Sequence, residues 1–168
     1  MTVEYMPIGI VHSTLCTPGE PPFQSRFSTC AGTVEVYPEF TDGLKDLAGF
    51  SHLILLCHFD RASKKALTEQ PLTDGTAQHG IFATRHFNRP NPIGIAYVAL
   101  DKIEAGILHV RGLDLLDGTP VLDIKPYIPA FDSIPDAVPG WVTGEHVGRL
   151  KAASEKAKKN TGTPAHHA

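Results

Sequence analysis

The stretch FATRHFNRPNPIG (82–94) concentrates residues that are costly to place without a use. Arg85 and Arg89 stand four apart in a loop stiffened by Pro90 and Pro92. Asn91 is caught between the two prolines, where its backbone is restricted. A rigid loop carrying Arg and Asn suits a planar or anionic ligand, because its donors are already ordered when the ligand arrives. The same arginines would serve equally well in a loop that pairs with nearby acids. A second cluster, GLDLLDGTPVLDIKPY (112–127), sets Asp114, Asp117 and Asp123 among apolar residues. A carboxylate in such surroundings has a shifted pKa or accepts a hydrogen bond from a ligand amine or hydroxyl. Asp117-Gly118 is a common turn pair. Asp114 and Asp123 are open to either a site role or pairing with Arg or Lys. Lys125 follows Asp123 by two residues, so on a strand both project from one face.

Other chemistries find less footing. The nine histidines include His52 and His58, on one face of a strand, and His79 and His86, which flank the arginine loop. No pair has the HExxH spacing of a helical metal site, and no metal is expected. GxSxG is absent, and Cys57 lies inside an apolar run where a thiol is inert packing. Cys16, Cys30 and Cys57 are an odd number without CxxC spacing. They read as free thiols in a reducing cytoplasm rather than as a disulfide framework.

The elements that must position these residues are short. With 15 Gly and 14 Pro among 168 residues, the composition argues against a helix bundle and for short strands and turns. Strands are expected over Val3–His12, Gly32–Tyr37, Ser51–Phe59, Ile81–Thr84, Ile95–Ile103 and Pro120–Ile124, with Gly106–Leu113 as the antiparallel partner of Ile95–Ile103. The Pro-rich stretch Thr14–Phe27 is a loop with room for function, and Glu39–Leu47 is a turn or short helix. Arg61–Gln70 is a loop or short helix, and Lys125–Pro139 a Pro-interrupted loop. Glu145–Lys159 is a helix with lysines near its C-terminus, where they complement the dipole. The expected fold is mainly β, a small antiparallel sheet or barrel, with a body over 1–144 and a helix and basic tail over 145–168. Neither βαβ alternation nor GxGxxG occurs, which argues against a Rossmann nucleotide site. No apolar run reaches membrane-spanning length, and the N-terminus carries no signal-peptide pattern. Charge is uneven: residues 1–148 carry a net −7 and residues 149–168 a net +4. An acidic body is a poor nucleic-acid footprint, whereas the tail offers local phosphate contacts or is a solvated terminus.

The segments FSHLILL (50–56), FATRHFNRPNPIG (82–94) and LDLLDGTPVLDIKPYIP (113–129), with the opening PIGIVHS (7–13), resemble the TsaA/TrmO family. The resemblance covers roughly residues 5–141. Its members are S-adenosyl-L-methionine-dependent methyltransferases built on a small β-barrel. The family's best-known activity is N6-methylation of N6-threonylcarbamoyladenosine beside the tRNA anticodon. The resemblance implies a homodimer with the cofactor near the subunit interface. By motif position, Arg85 matches the cofactor-contacting arginine, Ile95 a backbone or apolar contact, and Gln24 the glutamine of the first loop. Arg111, Gly112, Leu113 and Asp114 match the segment around the cofactor's polar groups, while Phe59 and Asp60 carry over as further contacts. Arg89, Asn91 and His86 fall on the substrate side. Asp123 and Tyr127, with Lys125, are the candidates for accepting a proton as the new bond forms.

Three departures stand out. The family's TRS reads Thr84-Arg85-His86 here, beside the cofactor arginine. The histidine eight residues past that of FSH is Asp60. Bacterial tRNA-modifying members carry a further C-terminal domain where this sequence has one helix and a short tail. With the acidic body, these departures keep two other readings open: the same chemistry on a small-molecule or other non-tRNA acceptor, and a non-catalytic cofactor-binding protein.

Overall fold

The computed structural model describes residues 2–15, 24–71 and 77–160. Cys16, the prolines from Pro18 to Pro22, His166 and His167 lie outside them. Six antiparallel strands close into a barrel in the order β1-β2-β7-β6-β3-β8. They are β1 (Gly9–His12), β2 (Ala31–Val36), β3 (His52–His58), β6 (Ile93–Glu104), β7 (Ile107–Arg111) and β8 (Pro120–Pro126). Outside the barrel, β4 (Thr68–Glu69) and β5 (His79–Gly80) form a two-stranded ribbon. Two helices follow the barrel, α1 (Pro129–Asp132) and α2 (Gly144–Asn160). Alternation fills the interior: Val11, Val34, Val36, Leu53, Leu55, Cys57, Ala96, Val98, Leu108, Val110 and Val121 all face one core. Among the described residues, no helix is long and apolar enough to cross a membrane.

Local chemistry explains the joints. β6 and β7 are linked by Ala105 and Gly106 alone, both at positive φ (48° and 81°), the pattern of a two-residue hairpin turn whose twist matches the strands. A bulge lies between Leu100 and Lys102, so Asp101 has no cross-strand partner. β6 is the longest strand. Its first half pairs with β3 (His58↔Ile93 to His52↔Ala99), while β7 pairs only from Ala99 onward. The β7-facing side of Ile93–Val98 is therefore left without a strand. The 3-10 turn Ser25–Phe27 lies there instead, and the Ser25 hydroxyl accepts the Tyr97 N–H at 3.0 Å. α2 packs on the far side of that turn, and its Ser154 is buried.

Some expectations need correction. Ile81–Thr84 is not a strand: Ile81–Ala83 is a 3-10 turn closed by the Thr84 N–H and hydroxyl, both donating to the Ile81 carbonyl. Val3–His12 is a strand only from Gly9, where pairing with Val36 at the end of β2 and with Val121 of β8 starts, and Val3, Tyr5 and Met6 stay exposed. Lys125–Pro139 includes the last residues of β8 and the short α1, whereas Glu39–Leu47 forms short 3-10 helices as expected (Pro38–Leu44 and Leu47–Gly49).

Candidate active site

The site is assembled at the end of β7. There the chain turns through Gly112 at φ +88°. A Cβ at Gly112 would meet only ordinary contacts, the carbonyls of Ser25 (3.5 Å) and Tyr97 (3.6 Å), so the backbone conformation selects glycine. The N–H groups of Gly112 and Leu113 both donate to the Cys30 carbonyl, at 2.9 and 3.1 Å. Leu113 is fully buried, and its own carbonyl accepts the Ser28 hydroxyl. These anchors deliver Asp114 beneath the Ser25–Phe27 turn. As a residue Asp114 is half-buried, but its Oδ1 is sealed from solvent and has no hydrogen-bond partner. Burial pushes its carboxyl up to about 7; the backbone N–H groups of Ser25 and of Asp114 itself, and the charge of Arg85, pull the other way. The neighbouring Cys57 thiol, in the barrel interior, is pushed up to about 12 by burial and then by the Asp114 charge, which makes it inert.

The first loop and the arginine loop meet near this carboxylate, close enough for the Arg85 charge to act on it. Arg85 Nη1 donates to Gln24 Oε1 at 3.1 Å. Arg89 does not reach outward; its Nη1 donates to the carbonyls of Thr84 (3.2 Å) and His86 (3.4 Å) and braces the loop that presents Arg85. His86 Nδ1 accepts the Asn88 N–H at 3.1 Å and lies 3.7 Å from Glu69 Oε2, which fixes the ring on the loop's flank. The Asn91 carbonyl accepts the Ile93 N–H (2.7 Å), tightening the turn into β6. Ile95 is 40% exposed; Tyr97 gives its N–H to Ser25, away from β3, and Ile95, two residues earlier, turns its backbone groups to the same side. Gly94 seats Phe59: a Cβ there would fall 2.3 Å from Phe59 Cζ, so the aromatic ring fills the space of the missing side chain. Asp60 follows at the surface, its N–H donating to the His58 carbonyl.

Two groups of residues lie apart. The Arg111 guanidinium is committed to Asp101, with three contacts of 2.8–2.9 Å on the barrel exterior. That pairing holds the Asp101 carboxyl below its usual range and raises Arg111, so Arg111 bounds the site through its backbone. Asp123 and Lys125 pair at 2.7 Å on the outer face of β8, with Asp123 Oδ1 also accepting the Ile124 N–H. Tyr127 stands edge-on to Tyr97 at 5.9 Å. No described contact joins these three to Arg85, Gln24 or Asp114. Sequence reasoning missed Ser25, whose hydroxyl and backbone N–H tie β6 to Asp114; only its place next to Gln24 hinted at it. Among the described residues, no three His, Cys, Asp or Glu side chains are grouped to hold a metal ion.

The cleft offers an orphaned, buried carboxylate oxygen, an Arg–Gln bridge and a free strand side, a donor and acceptor set that fits an aminated, hydroxylated adenosyl group. The fold is that of a β-barrel family whose members include proteins named S-adenosyl-L-methionine-binding proteins and methyltransferases. The chain belongs to the family of the tRNA-methyltransferase O N-terminal domain, whose model matches residues 10–133. It is 48% identical over 152 residues to a protein of Pyrococcus abyssi named a probable S-adenosyl-L-methionine-binding protein, covering 90% of this chain and 82% of that one. It is 43% identical over 103 residues to the tRNA (adenine(37)-N6)-methyltransferase of Escherichia coli, covering 57% of this chain and 44% of that enzyme. The crystal structure of TrmO from Pseudomonas aeruginosa superimposes with a TM-score of 0.70 at 40% identity, over 83% of this chain and 62% of that one. The chain thus spans less than two thirds of the length of both the E. coli and the Pseudomonas proteins.

Proposed function

We propose that the chain methylates N6 of a tRNA adenosine from S-adenosyl-L-methionine, with N6-threonylcarbamoyladenosine beside the anticodon as the acceptor. The observation that carries this reading is Asp114, a buried carboxylate within reach of the Arg85 charge and with one oxygen lacking a partner. When bound, the cofactor supplies a methyl group already activated on a sulfonium, so the protein's task is alignment. Asp114 accepts hydrogen bonds from the cofactor's amine or ribose hydroxyls. Gln24 and Arg85 fix its polar end, while Gly112, Leu113, Phe59 and Ile95 shape the walls, with Asp60 at the rim. On the acceptor side, Arg89 and Asn91 keep the loop rigid and His86 forms the flank that differs from the family's pattern. Asp123 or Tyr127 takes the proton leaving N6, and Lys125 holds Asp123 in place. Positive charge for an RNA acceptor is concentrated from Arg149 onward, and α2 carries it onto the turn next to Gln24. Such an acceptor places the protein in the cytoplasm.

The working unit of this proposal is a homodimer. Along β6, Ala96 and Val98 fill the core while Ile93, Ile95 and Tyr97 stand 43%, 40% and 36% exposed on the outside. A strand apolar on both faces is one that is covered on both. Asp123, Lys125 and Tyr127 share that outer surface, which fits a site completed by a second copy. Sedimentation equilibrium is expected to give twice the 18.2 kDa chain mass; a mass of one chain removes the dimer from the proposal.

The function is tested with labelled S-adenosyl-L-methionine supplied to total tRNA, to tRNA lacking the threonylcarbamoyl group, and to a small-molecule extract. Label in the first alone is expected. Label only in the extract favours the second reading, a small-molecule acceptor, for which the net −7 of residues 1–148 speaks. Cofactor binding without label anywhere reduces the protein to a binding module.

A further inference from the structure

Trp141, the single tryptophan of the chain, lies far from the motifs in sequence, yet it is joined to the arginine loop. Its ring stacks on His79 at 4.0 Å and 12° between planes. Its Nε1–H donates to the Ala83 carbonyl at 2.8 Å. His79 and Ala83 bracket the Ile81–Ala83 turn, so one side chain holds both ends of the segment that runs directly into Thr84-Arg85. On its other side Trp141 meets the His146 ring edge-on at 5.4 Å. His146 is fixed by Thr143, whose N–H donates to His146 Nδ1 at 2.9 Å in the first turn of α2. Further along, the same helix packs on the Ser25–Phe27 turn that follows Gln24. One continuous segment, from Trp141 through α2, therefore touches both loops whose side chains meet in the Arg85–Gln24 hydrogen bond.

We propose that Trp141 is a positioning residue for cofactor binding: through the Ala83 carbonyl it sets the reach of Arg85, while α2 sets the place of Gln24, so the C-terminal segment fixes the separation of the two cofactor loops. The inference rests on the reading of the cleft as an S-adenosyl-L-methionine site. It does not require Trp141 to touch the cofactor. A merely structural tryptophan would alter melting temperature and leave the affinity of the folded protein alone. A positioning tryptophan acts through Arg85, and its effect disappears when Arg85 is gone.

The experiment is a calorimetric titration of S-adenosyl-L-methionine into the wild type, Trp141→Phe, Arg85→Ala and the double variant. Phenylalanine keeps an aromatic ring against His79 and removes the N–H donor together with part of the indole's bulk. Trp141→Phe is expected to weaken binding about fivefold, the worth of one such hydrogen bond. Arg85→Ala is expected to weaken it more than tenfold, and adding Trp141→Phe to Arg85→Ala is expected to cost less than twofold more. Affinity of Trp141→Phe within twofold of wild type, or a full fivefold loss that persists in the Arg85→Ala background, overturns the proposal. The wild type gives an independent reading that needs no variant: Trp141 emission is expected to change on titration with a midpoint matching the calorimetric Kd, and unchanged emission at saturation overturns the proposal. A wild type that takes up no S-adenosyl-L-methionine sinks the functional reading itself; one that binds while Trp141→Phe matches it sinks this inference alone.

Discussion

Replacing Asp114 by Asn is expected to give a protein that melts higher than the wild type at pH 8 and binds S-adenosyl-L-methionine about a hundredfold more weakly. Both effects come from one feature, a carboxylate kept in a place that disfavours its charge. Burial raises the Asp114 carboxyl from 3.8 to about 7, which costs the ionised folded state roughly 4 kcal/mol. With its folded pKa above the unfolded one, the group takes up a proton on folding. Its contribution to stability is therefore greatest below about pH 4, is lost as pH rises toward 7, and stays lost above that. Asparagine has no charge to desolvate. Its amide oxygen can take the position that accepts the backbone N–H groups, leaving the NH2 where Oδ1 now lacks a partner. That desolvated amide retains part of the cost, so the gain at pH 8 is about 1–3 kcal/mol. The advantage over wild type shrinks by more than half at pH 5, where the folded wild type has already neutralised Asp114. Denaturant melts at the two pH values check the sign; an Asn variant less stable than wild type at pH 8 refutes the account. The affinity loss follows because a hydrogen bond to an ionised, desolvated carboxylate is worth about 1.5–3 kcal/mol. On the proposed function, the buried acid is a stability sacrificed for a ligand.

The second large effect is expected at Gly32, where alanine destabilises the barrel by roughly 2–4 kcal/mol. An added Cβ would lie 2.3 Å from the His12 carbonyl oxygen and 2.6 Å from Leu113 Cδ1. The leucine can give way, but the oxygen belongs to β1 and moves only with the strand. Leu113 also neighbours Gly112 and Asp114, so a rescued fold pays at the cofactor segment too. Chemical denaturation measures the first consequence and calorimetry of the folded fraction the second. A Gly32→Ala protein with wild-type midpoint and affinity would show that β1 and β2 separate more easily than their register (His12↔Thr33) implies.

Much of this was legible in the residues. The apolar run at 51–59 and the segment 95–103 read as strands because buried strands are apolar and rich in β-formers, and 95–103 pairs with 106–113 as expected, whereas the neighbouring of β3 and β6 was not legible from sequence. Arg85, Gln24 and Asp114 were each marked by motif, and they converge. Other features depend on contacts remote in sequence. Ile81–Thr84 has strand-like composition, but the carbonyls of Ile81 and Ala83 are taken by Thr84 and Trp141, and the segment winds into a turn. Arg111 matched a cofactor position, but a bulge in the opposite strand leaves Asp101 free to claim its guanidinium. No spacing rule reveals Trp141, since stacking on His79 is decided by where a loop returns.

The half-paired β6 has a consequence for how the chain behaves among other chains. A closed barrel ordinarily has no edge strand, and an exposed edge is a template on which a second molecule can add its own strand. This barrel has such an opening along Ile93–Val98, beside the candidate site. The usual safeguards of an edge, a proline or a lysine within it, are absent there. The guard is the Ser25–Phe27 turn, which occupies the Tyr97 N–H and is itself pinned by α2. The C-terminal helix therefore guards this edge against the addition of a foreign strand, a different surface from the outer face of β6, and a chain clipped before Gly144 would lose the support of that cover while keeping all six strands of its barrel.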